Sequence, residues 1–227
     1  MGGGTYSQEN RSIRTAQFSN MQREEIFSKK LHPEMSPAGV KLREARDSEN
    51  HPCSIPIIIA LDVTGSMGYI PEQLIKSGLP HLISGLMEAG IKDPQIMFLA
   101  IGDHITDTAP LQISQFESGD AEMDMWLQRT WIEAKGGGNR GESYPLAWFF
   151  AANCVQTDHW DKRGQKGFIF TIGDERFHEN YSGHTLTSIM NSSEPSGSAT
   201  ARELLAIAQQ RWEVFHILPD MITDDSD

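Results

Sequence analysis

The sequence predicts an α/β protein with a doubly wound, mainly parallel central sheet and helices on both faces. Short runs rich in Ile, Val and Phe recur without polar alternation, which is typical of parallel strands buried on both faces. Longer segments between them carry apolar residues every three or four positions, as amphipathic helices do. Strands that alternate with helices favour a parallel sheet.

Three parts of the chain differ in composition. Residues 1–50 are polar and begin with a glycine-rich stretch, so we expect a partly flexible N-terminal arm that packs on the domain or orders on a partner. Residues 51–219 carry the strand and helix patterns and form the predicted domain. Residues 220–227 form an acidic C-terminal tail. A hydrophobic content of 38% in 227 residues is enough for one sizeable core.

Hydrophobic patterns place the individual elements. Strands are predicted at residues 55–62, 95–101, 167–172 and 212–218, with a short edge strand at 111–116. Helices are predicted at residues 70–89, 123–134, 143–155 and 199–211, with a short one at 21–30. Residues 177–198 are polar and rich in Gly, Ser and Asn, which indicates a long loop.

Charge and cysteine content exclude several function classes. The formal net charge is -12 and the sequence pI is about 5.1, so the surface repels nucleic acid and anionic membranes and we expect neither as a partner. No apolar run is long enough to span a membrane. Cys53 and Cys154 show no metal-binding or disulfide pattern, so we interpret them as reduced thiols in a cytoplasmic protein.

The residues that follow the first strand carry the clearest chemical signal. Asp62, Thr64 and Ser66 follow one another at steps of two, and in an extended segment such residues point the same way. Ligands of open α/β sheets bind at the carboxyl ends of strands. A carboxylate with two hydroxyls suits a hard cation such as Mg²⁺ and leaves its charge incompletely neutralised, so the ion would seek a further carboxylate from a substrate or partner protein. Alternatively, the hydroxyls only cap the next helix.

Other polar groups are predicted at the same edge of the sheet. The loop 136–142 offers Asn139 and Glu142, and Asp174 ends a later strand. Asp103 ends the second strand and either supports the site through hydrogen bonds, adds a separate site or caps its own strand. His178 either orients Asp174, reaches a ligand or has no role.

These motifs resemble the metal-ion-dependent adhesion site (MIDAS) of von Willebrand factor A (vWA) domains. The run from Asp62 to Met67, Asp-Val-Thr-Gly-Ser-Met, is similar to the family signature Asp-x-Ser/Thr-x-Ser. The later segments Gly-Gly-Gly-Asn-Arg-Gly-Glu (136–142) and Asp-Glu-Arg-Phe-His (174–178) resemble the branch that includes the A domains of alpha-type kinases. The resemblance covers roughly residues 53–219 and implies a Rossmann-like fold.

The resemblance also implies a function. A Mg²⁺ or Mn²⁺ ion would be held by the residues named above, with the carboxylates acting partly through water: Asp62, Thr64, Ser66, Asn139 or Glu142, and Asp174. Its open coordination position would take an Asp or Glu carboxylate of a protein partner, and the module would not be an enzyme. The sequence departs from the family where a threonine is usual in the middle loop, which leaves Asn139 and Glu142 as alternatives.

A different function class is the phosphoaspartyl hydrolases of the haloacid-dehalogenase type. These enzymes also place an aspartate at the end of the first strand, and Asp62 would be the nucleophile. The segment Gly-Asp-Glu (173–175) would be their late Mg²⁺ motif. Thr64 stands where their phosphatases have a second aspartate, and no lysine ends a strand between Asp62 and that segment. The metal-dependent binding module is therefore the leading prediction.

Overall fold

The computed structural model describes residues 4, 6–133, 141–191 and 197–219, without the side chains of Gln8 and Ser66. Within these residues the strands are β1 (Arg43–Ala45), β2 (Ile55–Asp62), β3 (Pro94–Ile101), β4 (Leu111–Ile113), β5 (Val155–Thr157), β6 (Gly167–Ile172), β7 (Asn180–Tyr181), β8 (Ala199–Thr200) and β9 (Trp212–Ile217). The main sheet has the order β4-β3-β2-β6-β9. Its strands are parallel except β4, which is antiparallel to β3.

Helices pack on both faces of this sheet. They are α1 (Gln8–Ser19), α2 (Arg23–Ile26), α3 (Tyr69–Gln73), α4 (Leu79–Glu88), α5 (Asp120–Arg129), α6 (Pro145–Cys154), α7 (Asp158–Asp161), α8 (Gly183–Met190) and α9 (Ala201–Ala208). Apolar residues of α6, α8 and α9 join alternate residues of β2 and β3 in one core, and those of α1, α4 and α5 join the other residues of β2 and β3 in a second. The protein is therefore an α/β structure with a central, mostly parallel sheet flanked by helices.

The five predicted strands are confirmed within a few residues, and β2 and β6 have the predicted bounds. The prediction of a loop over 177–198 is wrong, because α8 lies within it. Ser182 caps α8 by accepting the Thr185 amide, and Leu186 and Met190, four residues apart, are buried. The helix ends at Asn191 in the left-handed conformation (φ 44°).

The strand β9 differs from the prediction in burial. We predicted a buried strand, but only its first residue, Trp212, is buried. Phe215, Ile217 and the following Leu218 are 47%, 43% and 67% exposed. This edge of the sheet therefore presents apolar side chains that no described element covers.

The helix predicted at residues 70–89 is interrupted by a π-helical segment, Leu74–Gly78. Pro80 has no amide hydrogen, so it cannot make the regular bond back to Lys76. The Leu79 amide bonds Leu74 rather than Ile75, which leaves the Ile75 carbonyl to accept a hydrogen bond from the buried Arg11 of α1. Arg11 also forms an ion pair with Asp124 of α5.

The described part of the N-terminal arm is therefore packed against the domain. Phe18 of α1 and Ile26 of α2 are buried in one core, and Ala45 of β1 is buried in the other. At the end of the arm, Asp47 accepts hydrogen bonds from Ser54, just before β2, and from Arg163, just before β6. None of the helices in the described part of the chain has the length and apolar character needed to cross a membrane.

Candidate functional site

The side chain of Asp62 is held rigidly at the carboxyl end of β2. It is fully buried, and its Oδ1 accepts hydrogen bonds from the Thr64 amide at 2.8 Å and the Thr64 hydroxyl at 2.6 Å. Its Oδ2 accepts the hydroxyl of Tyr144 at 2.7 Å. Burial raises the pKa of Asp62, and the hydrogen bonds from Thr64 and Tyr144 oppose this shift.

Glu142 brings a second carboxyl group to the same place. It lies just before α6 and is 7% exposed. Burial first, and then the charge of Asp62, raise the pKa of Glu142 to about 8, while a hydrogen bond with Thr64 acts in the opposite direction. Its buried Oε2 has no hydrogen-bond partner among the described residues. No lysine or arginine of the described chain forms an ion pair with either Asp62 or Glu142.

The segment that follows β6 brings a third acidic residue to the carboxyl end of β2. Asp174 is exposed and lies close enough to Asp62 for its charge to raise the Asp62 pKa. The neighbouring backbone is fixed, because the Glu142 amide donates to the Arg176 carbonyl at 2.7 Å and the His178 amide donates to the Glu142 carbonyl at 3.2 Å. Three separate segments therefore meet at the end of β2.

Tyr144 is the site residue that sequence reasoning missed. It is fully buried and bonds Asp62, and the backbone of Glu175 also hydrogen-bonds its hydroxyl. A Cβ atom at Gly173 would lie 2.0 Å from that hydroxyl, so glycine is needed there for the tyrosine to reach Asp62. The only sequence signal is that Tyr144 follows Glu142 closely at the start of a helix, which is too common to be diagnostic.

Asp103 and His178 contact each other beside this group. His178 Nε2 lies 2.8 Å from Asp103 Oδ1. Asp103 is buried and also accepts the Ile105 amide and the Thr106 hydroxyl, which is the strand-end cap that the sequence allowed. The charge of Asp103 contributes to the raised pKa of Glu142. With His104 these two residues place three possible ligand atoms within 4.8 Å of one another.

The structure thus brings together Asp62, Thr64 and Glu142, with Asp174 close by and Asp103 and His178 adjoining. Asn139 and the side chain of Ser66 lie outside the described residues, so their predicted roles stay predictions. Glu142 lies at the end of β2, and the alternative between Asn139 and Glu142 as the ligand of the middle loop stays open. Two buried carboxyl groups and a hydroxyl in one place offer oxygen ligands of the kind that a hard divalent cation takes.

Comparisons with known proteins give no assignment. No protein-family model matches the sequence, and no curated protein matches it. A solved structure with some similarity is the pilus adhesin SpaC from Lactobacillus rhamnosus GG in an open conformation, with 11% sequence identity and a TM-score of 0.42. The match covers 79% of this chain and 24% of the adhesin chain, so the chain spans about a quarter of that protein's length. A likeness of this size carries no functional conclusion.

Proposed function

We propose that the protein is a divalent-metal-dependent protein-binding module. In this proposal a Mg²⁺ or Mn²⁺ ion binds at the carboxyl end of β2, among Asp62, Thr64, Ser66, Glu142 and Asp174. When bound, the ion supplies a Lewis-acidic position for an Asp or Glu carboxylate of a protein partner. The net charge of -12 makes a protein a better partner than nucleic acid or an anionic membrane.

The observation that carries this proposal is the state of Glu142. A carboxyl group that is 7% exposed, with one oxygen lacking a hydrogen-bond partner among the described residues, is unfavourable next to the buried carboxyl of Asp62. Folded proteins rarely keep such groups without compensation, and a cation between the two carboxylates would supply it.

The strand order is compatible with a doubly wound sheet of the vWA type. The chain enters the main sheet at the central strand β2, extends through β3 to β4, and then builds the other half with β6 and β9. In a doubly wound sheet of this kind, the ligand site lies where the strand order reverses, at the carboxyl end of the first strand. Asp62 occupies that position, which supports a doubly wound, vWA-like arrangement.

The hydrogen bonds of Asp62 count against phosphoaspartyl chemistry. A nucleophilic aspartate needs an oxygen directed at the phosphorus atom. Here Thr64 bonds one oxygen of Asp62 twice and Tyr144 bonds the other. No contact among the described residues supports a phosphoaspartyl hydrolase.

The proposal is tested by thermal unfolding with and without divalent ions. Mg²⁺ or Mn²⁺ should raise the Tm of the parent protein relative to a chelator, because the ion binds only the folded state. At pH 7, Glu142→Gln should change the Tm without metal only slightly, since a carboxyl group with a pKa of about 8 is already mostly protonated there. It should cut the metal-induced shift by at least half, because it removes an anionic ligand of the ion.

Glu117→Gln is the matched control for this experiment. Glu117 is also buried (9% exposed) with a raised pKa, but it bonds Trp126 away from Asp62. Its substitution should leave the metal-induced shift unchanged. A parent protein whose Tm does not respond to Mg²⁺ or Mn²⁺ would refute the metal site, and equal responses in both variants would exclude Glu142 from it.

A further inference from the structure

A groove lies beside the candidate metal site, between the segment after β6 and helices α6 and α9. It encloses about 460 Å³. Its lining includes two aromatic rings, an aliphatic side chain and polar groups at the rim: Trp148, Phe177, Leu205, Glu179, Thr200 and Arg202. The opposite charges of Glu179 and Arg202 offset each other, so the groove suits an uncharged apolar group better than an ion.

One wall of the groove carries an exposed aromatic ring. Phe177 is 47% exposed and packs edge-on against the buried indole of Trp148, with ring centroids 5.8 Å apart. An apolar group bound in the groove would remove part of the Phe177 ring from water, which favours binding.

The groove is continuous with the candidate metal site. Phe177 and Glu142 are partners in a parallel β-bridge, and paired residues of neighbouring strands lie about 5 Å apart. Glu142 belongs to the carboxyl cluster with Asp62, while Phe177 forms a wall of the groove. An extended peptide advances about 3.3 Å per residue, and residues two apart point the same way. A peptide acid at the metal would therefore place its second neighbour at the groove.

We propose that the partner segment is an extended peptide with the pattern Asp-x-Phe or its equivalent, an acidic residue two positions from a large apolar one. The acid binds the metal, and the apolar side chain enters the groove between Phe177 and Leu205. This inference rests on the proposed function and extends it from one carboxylate to a two-point peptide motif.

The test compares three peptides by NMR titration of the intact protein in Mg²⁺. They are Ac-Gly-Asp-Gly-Phe-Gly-NH₂, the same peptide with Ala for Phe, and the same peptide with Asn for Asp. The Trp148 indole resonance is assigned by its loss in Trp148→Phe. The Phe peptide should move this resonance and bind at least about five-fold more tightly than the Ala peptide, which corresponds to about 1 kcal/mol of apolar burial. Binding of the Asn peptide should be lost.

Phe177→Ala and Phe215→Ala form a matched pair, because both side chains are 47% exposed. Phe177→Ala should remove the preference for the Phe peptide, and Phe215→Ala on β9 should keep it.

Equal binding of the Phe and Ala peptides, both dependent on Mg²⁺, would overturn the groove proposal and leave the metal site standing. Binding of the Phe peptide that needs neither Asp nor Mg²⁺ would overturn the two-point motif. Absence of any peptide binding in Mg²⁺ would also overturn it, while the Tm response separately decides the metal site.

Discussion

At the residue scale, the sequence indicated which oxygens gather at the end of β2 but not how they are held. The alternation of Asp62 and Thr64 after an apolar run was visible because strand geometry acts over a few residues. The contact of Tyr144 with Asp62 was not, because it joins residues 82 positions apart through tertiary packing. The alternative between Asn139 and Glu142 stays open, because Asn139 lies outside the described residues.

Asp47 gives a prediction with a defined pH dependence. The hydrogen bond from the Arg163 guanidinium holds the pKa of Asp47 well below its usual range. The folded state therefore binds this proton less readily than the unfolded chain, and the stabilisation is fully present above the unfolded pKa of about 4 and is lost as the pH falls through the folded value. Asp47→Asn should lower the free energy of unfolding at pH 7 by about 2 kcal/mol.

The difference between Asp47→Asn and the parent should narrow when urea unfolding is repeated below about pH 4. Asp161→Asn is the control, because that carboxylate is 41% exposed and pairs with Arg46 at the surface, where such pairs contribute less than about 1 kcal/mol. If Asp47→Asn lowers the free energy of unfolding equally at pH 7 and below pH 4, the charge of Asp47 is not the cause of the stabilisation.

At the scale of elements, predictions succeeded where one periodicity dominates. The predicted bounds of β2 and β6 agree with the structure. Short, uninterrupted apolar runs are typical of buried strands, so the sequence predicts these two elements well. α8 was missed because it has only two fully buried positions, Leu186 and Met190, among small polar residues. The π-helical segment before α4 depends on Pro80 and on Arg11, which supplies a donor from a distant helix.

Arg11 tests whether α1 is an integral element of the fold. Its guanidinium is buried and bonds both Asp124 and the carbonyl of Ile75. Arg11→Leu should lower the free energy of unfolding by about 3 kcal/mol, because it leaves a buried carboxylate with only Arg14 as its cation. Adding Asp124→Leu should recover part of the loss. Urea unfolding measures both, and a cost no larger than that of changing the exposed Arg211 to Leu would contradict this role.

At the scale of the whole molecule, the sequence predicted an α/β sheet flanked by helices but not the path of the N-terminal arm. The arm contributes to both cores, with Phe18 in one and Ala45 in the other. The sequence did not predict this contribution to the cores, because a few buried residues in a long polar stretch give no periodic signal. The arm and the predicted domain therefore share cores that neither could complete alone.

The exposed edge at β9 predicts self-association at high protein concentration. An apolar, unpaired edge strand can add another strand or bury its side chains against a second molecule. Ile217→Lys should lower the association measured by analytical ultracentrifugation, because it places a charge on that edge. Ile207→Lys is the control, since Ile207 is 45% exposed but lies on the helix α9. Equal effects of the two changes would indicate general hydrophobicity instead of the strand edge.

The central position of β2 has a consequence for biosynthesis. β2 pairs with β3 on one side and with β6 on the other, and β6 begins at Gly167, about 100 residues after β2 ends. At a translation rate of about 5–20 residues per second, a ribosome needs on the order of 5–20 s to make that stretch. Throughout this interval the nascent chain exposes one flank of a strand that is almost wholly buried in the folded protein. We therefore expect chaperones to bind the nascent chain during this delay. Fragments that end before β6 should be obtained in low yield.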